Sequence, residues 1–514
     1  MFVALVVTLL VVATLLRVSG LGAGLPYSSY IDEGHYLHPT AHMIANDTFE
    51  GGSYQNPYEH PSLPYDAIAL AAEVYRLTGD TGIKAGAVAT DETSYYDLIQ
   101  PSELILIGRL VILAFSVGAV LLTVLLATRM IGRRGGLLAG SVVAFLPVLV
   151  TRSAVVTADP VVTFFVTATL LLTSYLVREG ARARPSLLWA GLAGAGAGMA
   201  FTSKYPAGAV ILAVFTVIAL RRDLSPAVRA WHQAVALIGA IIAAIVTMPA
   251  LVFDTSQVIA DVKYEANAYS TYIDGHYWSW MTNGAQIGWL FSILAVGGLV
   301  LLVRARPSRI LSIAWLVFAV PYVGYLVAQT FQPVRNLMPL LPFLAVAVAA
   351  AILELVRLIS RVWPLDRRGR AAGSVALTAV VVITMFFGGV TSHLRTSSDL
   401  VDSRTEAVDW LEREVSPGQT VLVVEELAIL PAELARIPGT VTVTRAYEAE
   451  DPPDLAAFDF VVSGAFRPGP YAPGTPVWVP AGATSAATFG TSGTVPNPNT
   501  WRSSDEIVTI YRNP

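Results

Sequence analysis

The chain has 514 residues, 54% hydrophobic and 14% charged, with a mean hydropathy of +0.60. An ordinary globular domain carries about 25% charged residues, so this balance excludes a soluble globular enzyme. The formal net charge of -4, with no basic run interleaved with aromatics, argues against a nucleic-acid partner, and the absence of cysteine rules out disulfides and thiolate metal sites.

In chain order, apolar stretches of membrane-crossing length are expected near 2–16, 104–127, 136–151, 160–177, 186–203, 206–220, 233–252, 285–303, 310–328, 337–356 and 371–391, about eleven spans in all. The first has no Lys or Arg before it and no small-x-small cleavage site after it, so it reads as a retained helix and not a signal peptide. Arg129, Arg133 and Arg134, then Arg178, Arg182 and Arg184, then Arg221, Arg222 and Arg229, then Arg304, Arg306 and Arg309, then Arg357 to Arg370 fall in alternate links. The intervening links hold mainly lone cations: Arg152, Lys204, Lys263 and Arg335. The positive-inside rule then puts the arginine-rich links and the N-terminus in the cytoplasm of a multi-pass plasma-membrane protein. It puts the first loop, 17–103, the 253–284 loop and the tail after Ser392 outside.

Two domains are expected: a membrane domain over 1–395 and an extracytoplasmic α/β domain over 396–514. In the second, an amphipathic helix at 405–415 precedes strands at 420–424, 440–444, 458–463, 476–479 and 507–511, and roughly 115 residues suffice for a core.

Chemistry-bearing residues gather toward the outside. Asp32 and Glu33 follow the outer end of the first span, with His35 close behind; such carboxylates serve as general base or ligate a divalent cation, although an acidic pair is also an ordinary helix cap. Asp159, before Pro160, lies in the outer turn between the third and fourth spans, where a helix cap is the plain alternative. Arg109, Lys204 and Arg335 are cations at membrane depth, which is costly and marks function unless they snorkel to the headgroups. Cations beside two acids suit a site that holds a phosphate diester while a carboxylate deprotonates an acceptor. The run Asn56 to Tyr65, rich in Pro, reads as a rigid turn in which His60 orients a sugar or ligates a metal with an acid, or is structural. The glycines at 191, 194, 196 and 198 lack a preceding strand and read as a close helix contact, not a phosphate loop.

Taken together, Asp32-Glu33, Gly108-Arg109-Leu110, Arg152 with Ala158-Asp159-Pro160, Phe201 to Pro206 and Arg335 to Pro342 resemble the GT-C superfamily of membrane glycosyltransferases, in particular the protein O-mannosyltransferase and aminoarabinose transferase group. The resemblance implies a GT-C-like membrane domain and a hexosyl- or pentosyltransferase with a polyprenyl-phosphate sugar as donor. Its phosphate would lie near Arg109, Lys204 or Arg335. Asp32 would be the base for inverting attack by an acceptor hydroxyl, with Glu33 the alternative base, Glu33 and Asp159 would otherwise position acceptor or cation, and His35, His60 and Tyr65 would contact substrate. The acceptor is a glycan, lipid or protein; the repeated β-trefoil motifs of eukaryotic protein mannosyltransferases are missing, so protein gains no support. A divalent cation stays open as cofactor. The rivals are a flippase for lipid-linked sugars, favoured by charges near midspan, and a non-catalytic lipid- or glycan-binding member of the fold.

Overall fold

The computed structural model describes residues 1–28, 32–48, 57–77, 102–177, 187–271, 276–284, 286–363, 366–385, 387, 390–391, 401–427, 429–444, 453–465, 480–490 and 507–513. The basic link at 178–184 and the strand expected at 476–479 lie outside these residues.

Helix α1 (Phe2–Val18) is apolar until Arg17. Two amphipathic helices follow in the first loop, α2 (Asp32–Asn46) and α3 (Leu63–Arg76). The apolar run that follows forms α4 (Glu103–Phe145), broken at Gly132, where φ of 85° and ψ of 172° suit only glycine. The spans expected at 104–127 and 136–151 are therefore two helices meeting at one residue. Pro147 disfavours helical backbone at Leu146, which is extended, and α5 (Pro147–Thr151) starts afresh.

The remaining membrane-region helices are α6 (Ala158–Leu176), α7 (Leu187–Ser203), α8 (Ile211–Leu220), α9 (Pro226–Thr247), α10 (Ala250–Phe253), α11 (Thr255–Thr271), α12 (Tyr277–Thr282), α13 (Trp289–Arg304), α14 (Arg306–Val327), α15 (Leu341–Val362) and α16 (Arg367–Met385). Short 3-10 turns at Tyr205–Val210 and Val334–Leu340 lead into α8 and α15. By length and composition, five helices among the described residues can cross a membrane, and Phe2–Val18, Leu187–Ser203, Tyr205–Leu220 and Trp289–Arg304 are shorter apolar helices. The protein is a helical membrane protein.

Helices α7 and α9 pack backbone to backbone. A Cβ at Gly194 or Gly198 would run into the carbonyls of Ala236 and Ala240, which is the close contact expected from the glycine spacing. Arg17 is fully buried yet needs no carboxylate. Its guanidinium donates to Ser116 Oγ and to the carbonyls of Ala13, Val143 and Ala144 at 2.9–3.3 Å, capping the end of α4.

The C-terminal region folds as a five-stranded sheet of order β2-β1-β3-β5-β4, built from β1 (Thr420–Val424), β2 (Thr440–Thr444), β3 (Phe460–Ala465), β4 (Thr484–Phe489) and β5 (Ile507–Arg512). β1 pairs in parallel with β2 and β3, while β5 pairs antiparallel with β3 and β4. Helix α17 (Ser403–Glu414) packs Ala407, Val408 and Leu411 on the buried face of the sheet. Strand β4 was not expected: its small, exposed residues lack the apolar alternation that marks a half-buried strand.

Candidate active site

Four of the expected groups converge at one end of the helices. Asp32 opens α2; Asp159 lies in the first turn of α6, inside the helix and not at its cap, which is Thr157. Lys204 leaves α7 in extended conformation, φ -160° and ψ 114°. Arg335 stands on the 3-10 turn that follows Pro333.

Their side chains form one chain of contacts. Arg335 Nη1 pairs with Asp32 Oδ2, and its Nε lies 3.9 Å from Asp159 Oδ2. Lys204 Nζ donates to Asp159 Oδ1 at 2.8 Å and to Asn336 Oδ1 at 2.6 Å. The fully buried Asn336 in turn donates through Nδ2 to Tyr277 Oη at 3.3 Å, and its carbonyl accepts from Tyr322 Oη at 2.9 Å. Two carboxylates and two cations thus alternate. Side-chain exposures of 14% for Asp32, 15% for Arg335 and 19% for Lys204 leave the cluster open to a ligand, while Asp159 at 3% lies at its floor.

A second cluster adjoins it. His35, one turn along α2 from Asp32, has Nδ1 2.8 Å from Glu59 Oε1. His60 meets His35 edge to face at 5.0 Å, stacks on Tyr36 at 5.4 Å, and lies 3.9 Å from Glu265 Oε1. Burial opposes the charged forms of both His35 and Glu59, but their mutual hydrogen bond and the attraction of the neighbouring charges together outweigh it, so His35 titrates above and Glu59 below the ordinary range. Burial also raises Glu265, with His60 opposing. Ligand atoms of His35, Glu59 and His60 lie within 4.8 Å of one another, a nitrogen and oxygen set that suits a zinc-like ion. An ion there would have to displace the proton that His35 and Glu59 share.

Three expected site residues are not brought to this surface. Arg109 and Glu33 are fully buried against each other, with Nε to Oε1 and Nη2 to Oε2 both 2.8 Å. Arg109 Nη1 also donates to the carbonyls of Leu21 and Ala23 at 2.7 and 2.8 Å, and Glu33 Oε1 accepts from Val156 N–H at 2.9 Å. Neither group faces the Asp32 cluster. The reason is chemical: a guanidinium buried beside a carboxylate takes it in a bidentate fork. Tyr65 packs in a core with Tyr36, Leu37 and Ile68. In the other direction, Asn336, Tyr277, Glu59 and Glu265 were not assigned roles from the sequence. The signal for Asn336 was its place beside Arg335, and for Glu59 its place beside His60.

The helical membrane domain with its C-terminal sheet is a GT-C-like fold, which solved structures share with this chain. The model of the dolichyl-phosphate-mannose-protein mannosyltransferase family matches residues 104–254. Among solved structures, the chain is similar to ArnT from Cupriavidus metallidurans bound to undecaprenyl phosphate, at 14% identity over 99% of this chain and 97% of that one, with a TM-score of 0.59. It is also similar to the apo state of the same protein, at 13% identity over 86% and 85%, TM-score 0.55. The Archaeoglobus fulgidus oligosaccharyltransferase tethered with an acceptor peptide follows, at 13% identity over 90% and 69%, TM-score 0.51. At such identities the likeness is one of fold. No curated protein matches the chain in sequence.

Proposed function

We propose that the protein is an inverting glycosyltransferase that moves a hexose or pentose from a polyprenyl-phosphate donor to an acceptor hydroxyl on the extracytoplasmic face of the plasma membrane. The observation that carries this reading is the alternating run Asp32, Arg335, Asp159, Lys204. A sugar hydroxyl is a poor nucleophile at neutral pH, and Asp32, partly exposed, is the carboxylate able to accept its proton. As the acceptor oxygen forms its bond to the anomeric carbon, the carbon–oxygen bond to the lipid phosphate breaks from the opposite side. The bonding pair and the developing charge pass to the phosphate. Lys204 and Arg335 are cations suited to hold that phosphate, with charge stabilised by groups already in place. Asp159 bridges the two cations and Asn336 holds Lys204, while His35 and His60 of the adjoining cluster contact sugar or acceptor. Glu33 and Arg109 belong to the scaffold behind Asp32. ArnT, whose fold the chain shares, has been solved with undecaprenyl phosphate bound, which is consistent with a lipid-phosphate donor.

The flippase reading finds less support, because Arg17 and Arg109, buried within membrane-region helices, are held in place: Arg17 on carbonyls and Arg109 on Glu33. The test is incubation of the purified protein in vesicles with undecaprenyl-phosphate mannose, glucose and aminoarabinose, each labelled in the sugar. Transfer or hydrolysis from one donor is expected; transport of intact donor without cleavage would replace this reading with the flippase.

A further inference from the structure

The segment after α1 joins the C-terminal sheet domain to the scaffold of Asp32. Its residues form successive tight turns, with amides of Leu21, Ala23, Leu25 and Tyr27 donating to the carbonyls of Val18, Gly20, Gly22 and Gly24 at 2.9–3.3 Å. This run of local bonds connects two anchoring contacts. At one end, the carbonyls of Leu21 and Ala23 both accept from Arg109 Nη1, whose other nitrogens grip Glu33, the neighbour of Asp32.

At the other end stands Tyr27, 1% exposed. The guanidinium carbon of Arg404, from α17 of the sheet domain, lies 3.8 Å from the centre of the Tyr27 ring. The Leu430 amide of the same domain donates to Tyr27 Oη at 3.2 Å. Arg404 is itself fully buried and forked onto Asp402 at 2.8 and 3.0 Å, so its plane is fixed. A desolvated guanidinium on an aromatic face is a strong and directional contact.

We infer that the sheet domain sets the position of Asp32 through Tyr27, which makes Tyr27 and Arg404 positioning residues for the reaction. The inference rests on the glycosyltransferase reading with Asp32 as base. It makes the C-terminal domain part of the active-site framework and not a passive appendage.

The experiment uses the full-length protein. Tyr27→Leu removes ring and hydroxyl while leaving the Asp402–Arg404 pair inside its domain, and Tyr27→Trp keeps an aromatic face for the guanidinium. Expected for Tyr27→Leu are faster amide exchange in residues 19–28 and in α2, and a kcat lower by about 10- to 100-fold, the scale of small misplacements. Affinity for undecaprenyl phosphate stays unchanged, and Tyr27→Trp restores both exchange and kcat. Wild-type kcat and wild-type exchange in α2 for Tyr27→Leu would overturn the inference. So would a joint fall of kcat, undecaprenyl-phosphate affinity and apparent Tm, which marks a merely structural residue. Full activity of Asp32→Asn would instead sink the assignment of the base, and the exchange measurement would still decide whether the domain holds α2.

Discussion

Glu33 grips Arg109 through two parallel hydrogen bonds of 2.8 Å, with both side chains fully buried. Removing either partner leaves the other charge buried and uncompensated. Arg109→Leu or Glu33→Leu should therefore destabilise the protein by about 3–5 kcal/mol, and the double variant by less than the sum. Apparent melting temperature in detergent checks this. A single variant that melts like wild type would show the fork to be dispensable.

Asp32 sits next in sequence to Glu33 but pairs with Arg335 in the open cluster. Asp32→Asn keeps shape and removes the base, so turnover should fall by about 10² to 10⁴ while undecaprenyl phosphate still binds. Wild-type turnover in this variant would end the carboxylate mechanism at this residue.

Lys204 bridges Asp159 and Asn336. If its ammonium also holds the donor phosphate, Lys204→Ala should weaken undecaprenyl-phosphate binding by on the order of 2 kcal/mol, the worth of one charge-assisted contact. Binding titrations and melts are read together: unchanged affinity with an early melt assigns Lys204 to folding alone.

Asp66, on α3, has its pKa raised to about 7 by burial, which a hydrogen bond from Ser62 only partly offsets. The folded value exceeds the unfolded one, so the native state binds the proton more tightly. Stability from this group is full at low pH and is lost as pH rises through about 7. Asp66→Asn keeps the shape without the charge. Its melting temperature should match wild type near about pH 4 and exceed it near about pH 8. A wild-type advantage at the higher pH would contradict the burial of a reluctant carboxylate.

Arginine alternation predicts that the C-terminal sheet lies outside the cell. The chain has no cysteine, so a single cysteine at the exposed Ser485 of β4, or at Ser53 in the first loop, can be labelled without background, whereas Ser463 is buried by the fold. Labelling in intact cells by an impermeant maleimide is expected; labelling only after permeabilisation would reverse the orientation.

The apolar helices were legible as hydrophobic runs, and the gathering of Asp32, Asp159, Lys204 and Arg335 because membrane depth makes any charge conspicuous; the polar helices α2, α3 and α11 left no such signal. What one-dimensional reading lacks is a partner for each charge. Arg109 has the same signature as Arg335, yet Glu33 claims the first and Asp32 the second, a choice made by which way two adjacent side chains leave the start of α2. Asn336 was legible only as part of a motif, since a neutral amide carries no membrane cost to betray it. The break at Gly132 falls in the basic link that Arg129, Arg133 and Arg134 mark, although its positive φ leaves no trace in hydropathy.

The bare backbones of α7 and α9 touch at Gly194 and Gly198, and Lys204 leaves α7 less than two turns beyond. A contact lined by side chains can settle by rotamer changes, but two peptide planes in contact have no such give. The position of the lysine is thereby gauged by a pair of missing methyl groups, and the reach of its ammonium is set where two peptide backbones meet.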